Sequence, residues 1–327
     1  MNQRPRIRFH PEYVLLLVLV TEVVLFQVFG RNFGTMDNVE NIVRHSVELG
    51  LLALALVPVI LTGGIDLSVG SVLGLGAVVF GALWRDAGWP WPVASLATIV
   101  LGAAAGGFHA LLITQLRLPP LIVTLGTYSL YRGLAEALTR GTAAYTDFPE
   151  GFLRLGQGQL LGLPTQAWIL LVAILGVGLL VHQTHLGRSF RSIGYSPEGA
   201  RYAGLPVGRR LAAVYVLSGA LSALAAMTYT ARLGTAKADA GMGYELTAIT
   251  AVVLGGASIF GGSGSVGGTL AGVATLAVLN NGLSRIPWTM SHGAELSGLL
   301  TGVLLLIALA GKRAAAGWRT RPGRSER

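Results

Sequence analysis

"LTGGIDLSVGSVLGLGAVVFGAL", residues 61–83, decides what kind of chain this is. It lies in a strongly apolar region, yet it holds Asp66, Ser68 and Ser71 together with Gly63, Gly64, Gly70, Gly74 and Gly76. Lipid penalises loose backbone and unpaired charge. Such a stretch must be shielded by other helices, lie at an aqueous boundary, or line a path. Asp66 fits two roles that can coexist. It can cap the helix that follows, accepting the N–H of Ser68 or Val69. A glycine-broken helix start can also open into an aqueous path, where Ser68 or Ser71 would bind a polyol.

Working outward, apolar runs of membrane-spanning length recur along the chain. They lie near 13–30, 46–62, 66–84, 91–114, 120–138, 166–183, 211–231, 245–261, 265–284 and 294–311. Composition agrees: 52% of the 327 residues are apolar and 12% are charged, with mean hydropathy +0.62. A soluble domain carries about 25% charged residues. The fold class expected is all-α: a polytopic membrane protein of about ten spans with glycine-broken segments. One transmembrane domain covers 13–311, between a basic N-terminus at 1–12 and a basic tail at 312–327. The apolar run at 13–29 lacks a small-x-small cleavage pattern and reads as a retained first helix.

The net charge of +9 points to orientation rather than to nucleic acid. With both termini in the cytoplasm, 15 of the 24 Lys and Arg fall inside, 8 outside and Arg132 within a span. The loop at 139–165 is then periplasmic and the loop at 184–210 cytoplasmic. Neither can form a domain of its own. No cysteine is present, which removes disulfides and thiolate metal sites. The two lysines, Lys237 and Lys312, lack the phosphate-loop spacing, so any nucleotide binds another chain.

Other motifs divide between packing and chemistry. "GSGSVG" at 262–267 fits a dinucleotide loop in spacing but has membrane spans on both flanks, so it reads as a tight turn. Gly70 with Gly74, Gly102 with Gly106 and Gly268 with Gly272 have the spacing that lets helix backbones touch. "GGSG" at 261–264 matches a serine-nucleophile pattern of rhomboid-type proteases, but its downstream histidine, His292, is expected on the opposite face. Span five carries Thr124, Thr127, Tyr128, Tyr131, Arg132 and Glu136, and Arg132 and Glu136 can pair at i,i+4. Asn280 and Asn281 suit sugar hydroxyls or a polar helix end. The stretch at 61–79 also echoes 259–278, as repeated transporter halves do.

In the cytoplasmic loop, "YSPEGARYAGLP" at 195–206 predicts a short helix. Ser196 caps it, Pro197 opens it, Glu198 complements its dipole, and Gly204 and Pro206 stop it. It is either a solvated surface helix or a docking element for a soluble partner.

Five stretches together resemble a family. "LTGGIDLSVGS" (61–71), "LPPLIVTLGTYSLYRGLA" (118–135), "GRSFRSIGYSPEGARYAG" (187–204), "VVLGGASIFGGSGSVGGTLAG" (252–272) and "LNNGL" (279–283) are similar to permeases of the ribose/xylose/rhamnose class of ABC importers, which includes autoinducer-2 importers. The resemblance implies a dimer with a second permease, a copy or a paralogue. It also implies two cytoplasmic ATP-binding subunits, a periplasmic or lipid-anchored sugar-binding protein, and residence in the bacterial inner membrane. It implies a transport subunit that makes and breaks no bond and needs no cofactor. The family's coupling segment maps onto Ser196, Pro197, Glu198, Ala200, Arg201 and Gly204, with Gly199 where alanine is frequent. The expected path draws on Asp66, Ser68, Ser71, Thr127, Tyr128, Asn280 and Asn281. A stand-alone carrier coupled to an ion through Asp66 or Glu22 is the alternative reading, and an intramembrane serine protease a more distant one.

Overall fold

Glycine sets where the helices of this chain stop. The computed structural model describes residues 11–141, 143–287 and 292–319. Most of the basic terminal residues, Arg4, Arg6, Arg8, Arg321, Arg324 and Arg327, lie outside them. The elements are α1 (Pro11–Phe29), α2 (Met36–Leu61), α3 (Val69–Arg85), α4 (Trp91–Thr114), α5 (Pro120–Leu138), α6 (Glu150–Gln157), β1 (Gln159–Leu160), β2 (Leu163–Pro164), α7 (Thr165–Gln183), α8 (His185–Tyr195), α9 (Pro197–Tyr202), α10 (Val207–Leu233), α11 (Tyr244–Leu254), α12 (Val266–Leu283) and α13 (Gly293–Arg319). The protein is an all-α polytopic membrane protein, apart from one two-residue-per-strand hairpin between α6 and α7.

Among the described residues, α2, α4, α7, α10 and α12 are long and apolar enough to cross a membrane. The apolar parts of α1, α3, α11 and α13 are shorter. Several boundaries differ from the sequence reading. The helix expected to begin near 46 starts at Met36, where Thr35 accepts the Asn38 N–H. The one expected at 66–84 starts only at Val69. The one expected at 245–261 ends at Leu254, because Gly256, Gly261 and Gly262 turn to φ of +101°, +93° and +79°. A left-handed backbone ends a helix and suits glycine, which has no Cβ to clash. α6 and α8 were not expected at all.

Helix α2 is the axis of the fold, buried along its length from Val47 to Leu61. It packs against α7, α10, α11 and α12. The expected close-approach glycines meet backbone. A methyl on Gly102 or Gly106 would strike the carbonyls of Gly219 and Tyr215 on α10. One on Gly268 or Gly272 would strike those of Gly255 and Ala251 beside and on α11. Gly70 and Gly74 face carbonyls of the 238–241 turn. Lipid gives apolar side chains little reason to associate, so such contacts carry much of the helix pairing. Leucines, valines and isoleucines of α1, α4, α5, α7 and α13 point outward, among them Leu17, Val28, Leu96, Ile122, Leu175 and Leu306.

The termini of the helices gather charge at two opposite ends. Arg117, in the α4–α5 turn, lines a cavity of about 570 Å³ with Pro197 and Arg201 of α9. At the far ends of α2 and α12, Arg31 N–H bonds to the Arg285 carbonyl, and Arg44 donates to the Gly156 carbonyl in α6. The segment expected as the outer loop is folded down. Phe148 and Phe152 stack on Phe80, and Tyr145 bridges to Ala236.

Gly194 tests this backbone packing. A methyl there would overlap the Leu61 carbonyl oxygen and the Gly262 amide nitrogen, neither of which can swing away. Gly194→Ala is expected to lower stability by about 1–3 kcal/mol. Gly176→Ala, on α7 with open space around it, should be neutral. Thermal unfolding of the two detergent-solubilised variants compares them.

Candidate functional site

Three polar assemblies stand out in this apolar chain, and the first is the α8–α9 arm. Thr184 starts α8 by accepting the N–H groups of Leu186, at 3.1 Å, and Gly187, at 3.4 Å. Phe190 and Ile193 anchor its inner face. That spacing, with Leu186, was a readable helical signal. Ser196 then caps α9 through a 3.0 Å bond from the Gly199 N–H, Pro197 occupies its first position, and Gly204 ends it at φ +79°. The helix is six residues, shorter than the 196–204 expected. Of its assigned residues only Ala200 is buried, against Ile193 and Val207. Ser196, Pro197, Glu198, Arg201 and Gly204 are exposed. A methyl at Gly199 would press on the Ser196 hydroxyl at 3.0 Å, so glycine here relieves the cap.

The arm ends against both helix breaks. Gly262 N–H donates to the Leu61 carbonyl at 3.0 Å, joining the 255–265 turn to the end of α2. Gly194, at the end of α8, sits on both atoms with no room for a side chain. Gly261 approaches Gly194 and Gly63 so closely that a Cβ would lie 2.9 Å from each Cα. His182 Nε2 accepts the Val266 N–H at 3.2 Å, and Arg191 donates to the carbonyls of Val181 at 2.8 Å and Gly264 at 3.5 Å. Three segments distant in sequence thus meet at one backbone junction. The two stretches that echo each other both carry Ser-Val-Gly at a helix start, Ser68-Val69-Gly70 and Ser265-Val266-Gly267, but the starts differ: Ser265 is extended and caps the Gly268 N–H, whereas Ser68 is helical and its side chain caps nothing.

The second assembly surrounds Asp66. Its carboxylate is buried and accepts the Ser68 N–H at 2.9 Å, the Ser68 hydroxyl at 2.6 Å and the Ser218 hydroxyl at 2.8 Å. Asp66 therefore holds the chain just before α3, but the residue at the helix boundary is Ser68. Ser71 bonds to the Ser68 carbonyl, and Thr124 of α5 to that of Ile65. His109 stands 3.4 Å from the Ser68 hydroxyl, near the rings of Tyr131 and Tyr215. Asp66, Ser68, Ser71 and Thr127 are all buried in this conformation, Tyr128 half-buried.

Arg132 was expected to pair with Glu136. It turns inward instead, donating to the carbonyls of Ala238, Ala240 and Gly70, while Glu136 stays exposed. The reason is supply: the 234–243 turn leaves carbonyls unpaired inside the protein, and a guanidinium satisfies several together. Sequence reasoning also missed the ion pair of Glu48 with Arg232, 2.8 Å apart and far apart in the chain. Tyr229 lies over the same guanidinium.

The third assembly is a cavity of about 360 Å³ lined by His45, Tyr244, Thr247, Asn280, Asn281 and Ser284, beside this ion pair. Asn280 is exposed in it. Asn281 exchanges two 2.9 Å amide bonds with buried Asn38, tying α12 to α2. Adjacent asparagines thus have different tasks, because neighbours on a helix point apart. Ser263 and His292 do not meet. Gly293, next to His292, packs on Ser284 at the end of α12, and Ser263 precedes the start of that helix, about 27 Å away. No cluster able to hold a metal occurs among the described residues.

An arm of short helices, two glycine-broken helices and a polar cavity in a bundle fit a membrane transport subunit. The chain belongs to the family described as "Branched-chain amino acid transport system / permease component", matched over residues 38–309. It is thus a permease subunit of an ATP-driven, binding-protein-dependent importer, which works with an ATPase and a binding protein. It is 38% identical to the "Autoinducer 2 import system permease protein LsrD" of Escherichia coli K12, over 94% of this chain and 93% of that one. The proteins of the same name from Shigella flexneri and Escherichia coli O157:H7 match at the same identity and coverage. No solved structure matches.

The buried ion pair yields a clear contrast. Arg232→Leu alone strands the Glu48 carboxylate and should destabilise the permease by about 3–5 kcal/mol. Arg232→Leu combined with Glu48→Leu should recover most of that loss. Thermal unfolding of the single and double variants measures the difference.

Proposed function

We propose that this chain is one of two permease subunits that import autoinducer 2, or a closely related furanose, across the bacterial inner membrane. The name of its relatives supports the substrate, and the polar, uncharged lining at Asn280, Thr247 and Ser284 suits a neutral polyol. The second permease is a copy or a paralogue, and two ATP-binding subunits complete the inner side. The apolar faces of α1, α4, α5, α7 and α13 meet lipid or that second permease. The chain crosses the membrane about ten times with both termini inside, which puts the α8–α9 arm in the cytoplasm and residues 139–165 in the periplasm.

The observation that carries the mechanism is the junction of Gly194, Leu61 and Gly262. An ATPase that closes on ATP moves α9 through Ser196, Pro197, Glu198, Arg201 and Gly204. Ala200 ties α9 to α8 and α10, and Gly194 passes the displacement to both helix breaks at once. Substrate enters beside Asn280, with Asn281 at its margin. When α3 and α5 part, Asp66, Ser68, Ser71 and Thr127 join the path. Asp66 already accepts three hydrogen bonds from protein groups, which favours a positioning role over ion coupling.

Proteoliposomes provide the test. Uptake of autoinducer 2 should require both permeases, the ATPase, ATP and the binding protein. Uptake by the permease under a proton gradient, without the ATPase, would establish the ion-coupled carrier instead. Glu198→Arg should leave the permease folded and ATP hydrolysis running while uptake falls to background. Unchanged uptake in that variant removes the coupling role of α9.

A further inference from the structure

The side of the molecule that carries α9 exposes three aromatic rings. Tyr202 is 93% exposed, Phe260 88% and Tyr195 75%. Tyr195 ends α8 just before α9 and Tyr202 is the last residue of α9, but Phe260 belongs to a different part of the chain, the tip of the turn between α11 and α12. It is nevertheless in the same patch. The ring of Tyr195 lies against Gly262, where a Cβ would be 2.9 Å from it, and Gly63 lies against the Phe260 carbonyl.

The turn that displays Phe260 is locked. Ser258 N–H bonds to the Ser263 carbonyl at 2.8 Å, Gly261 N–H to the Ser258 carbonyl at 2.9 Å, and Phe260 N–H to the Ser258 hydroxyl at 3.3 Å. Gly262 is fixed to Leu61, and Arg191 holds Gly264. A loose loop could fold a phenylalanine back onto apolar surface, but this one cannot. A large ring held in water by a rigid turn marks a contact surface.

We propose that Phe260, with Tyr195, is a second docking arm for the ATP-binding subunit, seated in an apolar slot of that subunit next to the groove that receives α9. The inference rests on the reading of α9 as the ATPase contact. Continuity argues for one occupant: the Phe260 turn and the α8–α9 arm share the Leu61–Gly194–Gly262 junction, so a body that touches α9 meets Phe260 without a gap in the surface. The exposed cations Arg188 and Arg201 on the same arm call for carboxylates at the rim of the slot. Two arms on one rigid junction give the ATPase a grip on each helix break, with α9 reaching the α2–α3 break and Phe260 the α11–α12 break directly.

The absence of cysteine makes the test clean. Phe260→Cys and Tyr202→Cys are introduced separately into the full chain, assembled with its partner permease in inside-out vesicles, and labelled with a membrane-impermeant maleimide. Both should label freely without the ATPase and several-fold more slowly with it. Phe260→Ala, which removes no internal contact, should weaken ATPase binding about tenfold at unchanged thermal stability. Protection of Tyr202→Cys but not of Phe260→Cys overturns the second arm and leaves the α9 reading standing. Protection of neither overturns both. Shielding of Phe260→Cys before the ATPase is added assigns the ring to lipid and also overturns the inference.

Discussion

The fold depends on one close approach of backbone to backbone. Leu61 ends α2 with a carbonyl that its own helix leaves unpaired, and Gly262 supplies the N–H. Gly194 and Gly261 close over that bond because neither has a Cβ. Everything that distinguishes this bundle from a simple stack of spans follows. The start of α3 is held away from the end of α2, α11 stops after eleven residues, and the short inner helices have a fixed seat. A single methyl group would separate the segments, so the geometry is a property of glycine positions rather than of hydrophobic burial.

Once the junction exists, the polar groups nearby follow from the need to satisfy broken backbone. Residues between Leu61 and Val69 are not helical and lie in the protein interior, where an unpaired amide is costly. Asp66 accepts the Ser68 N–H, Thr124 donates to the Ile65 carbonyl, and Ser71 to that of Ser68. Arg132 does the same for the 234–243 turn, which lies against α3 at Gly70 and Gly74. Asp66 and Arg132 therefore neutralise gaps in the backbone, whereas a polar residue on an intact helix can face solute. Asn280, on an intact helix and facing a cavity, meets that condition.

This division explains what could be read in the sequence. The apolar runs located the helices, since burial in lipid needs only length and hydropathy. Ser196, Pro197 and Gly204 announced α9 because capping is local chemistry. The glycine doublets marked that α3 and α12 begin after breaks, but which break touches which depends on contacts across the whole chain. Glu48 with Arg232, and Arg132 with the Ala240 carbonyl, join residues more than a hundred positions apart, or nearly two hundred, and leave no periodic trace. The pairing of Arg132 with Glu136 failed for the same reason: helical spacing offered a partner, but buried carbonyls from another segment needed the guanidinium more.

A gate built this way has a mechanical consequence. Helix α12 is eighteen residues long and holds no proline, and α2, at twenty-six, holds one, Pro58, in its last turn, so bending in α2 is confined to the end beside its break. The two breaks, at 62–68 and 255–265, are the points where the helices end, and both are fastened to one point beside α9. Displacement applied there can tilt α3 and α12 together while leaving α2 in place. Among the described residues, the cavity at Asn280 has no fixed charge in its lining except at its rim near Arg31 and Arg285, which under the proposed function leaves a neutral solute loosely held. Under the proposed function, the direction of movement comes from the partner that acts on the junction, and the chain supplies the geometry that transmits it.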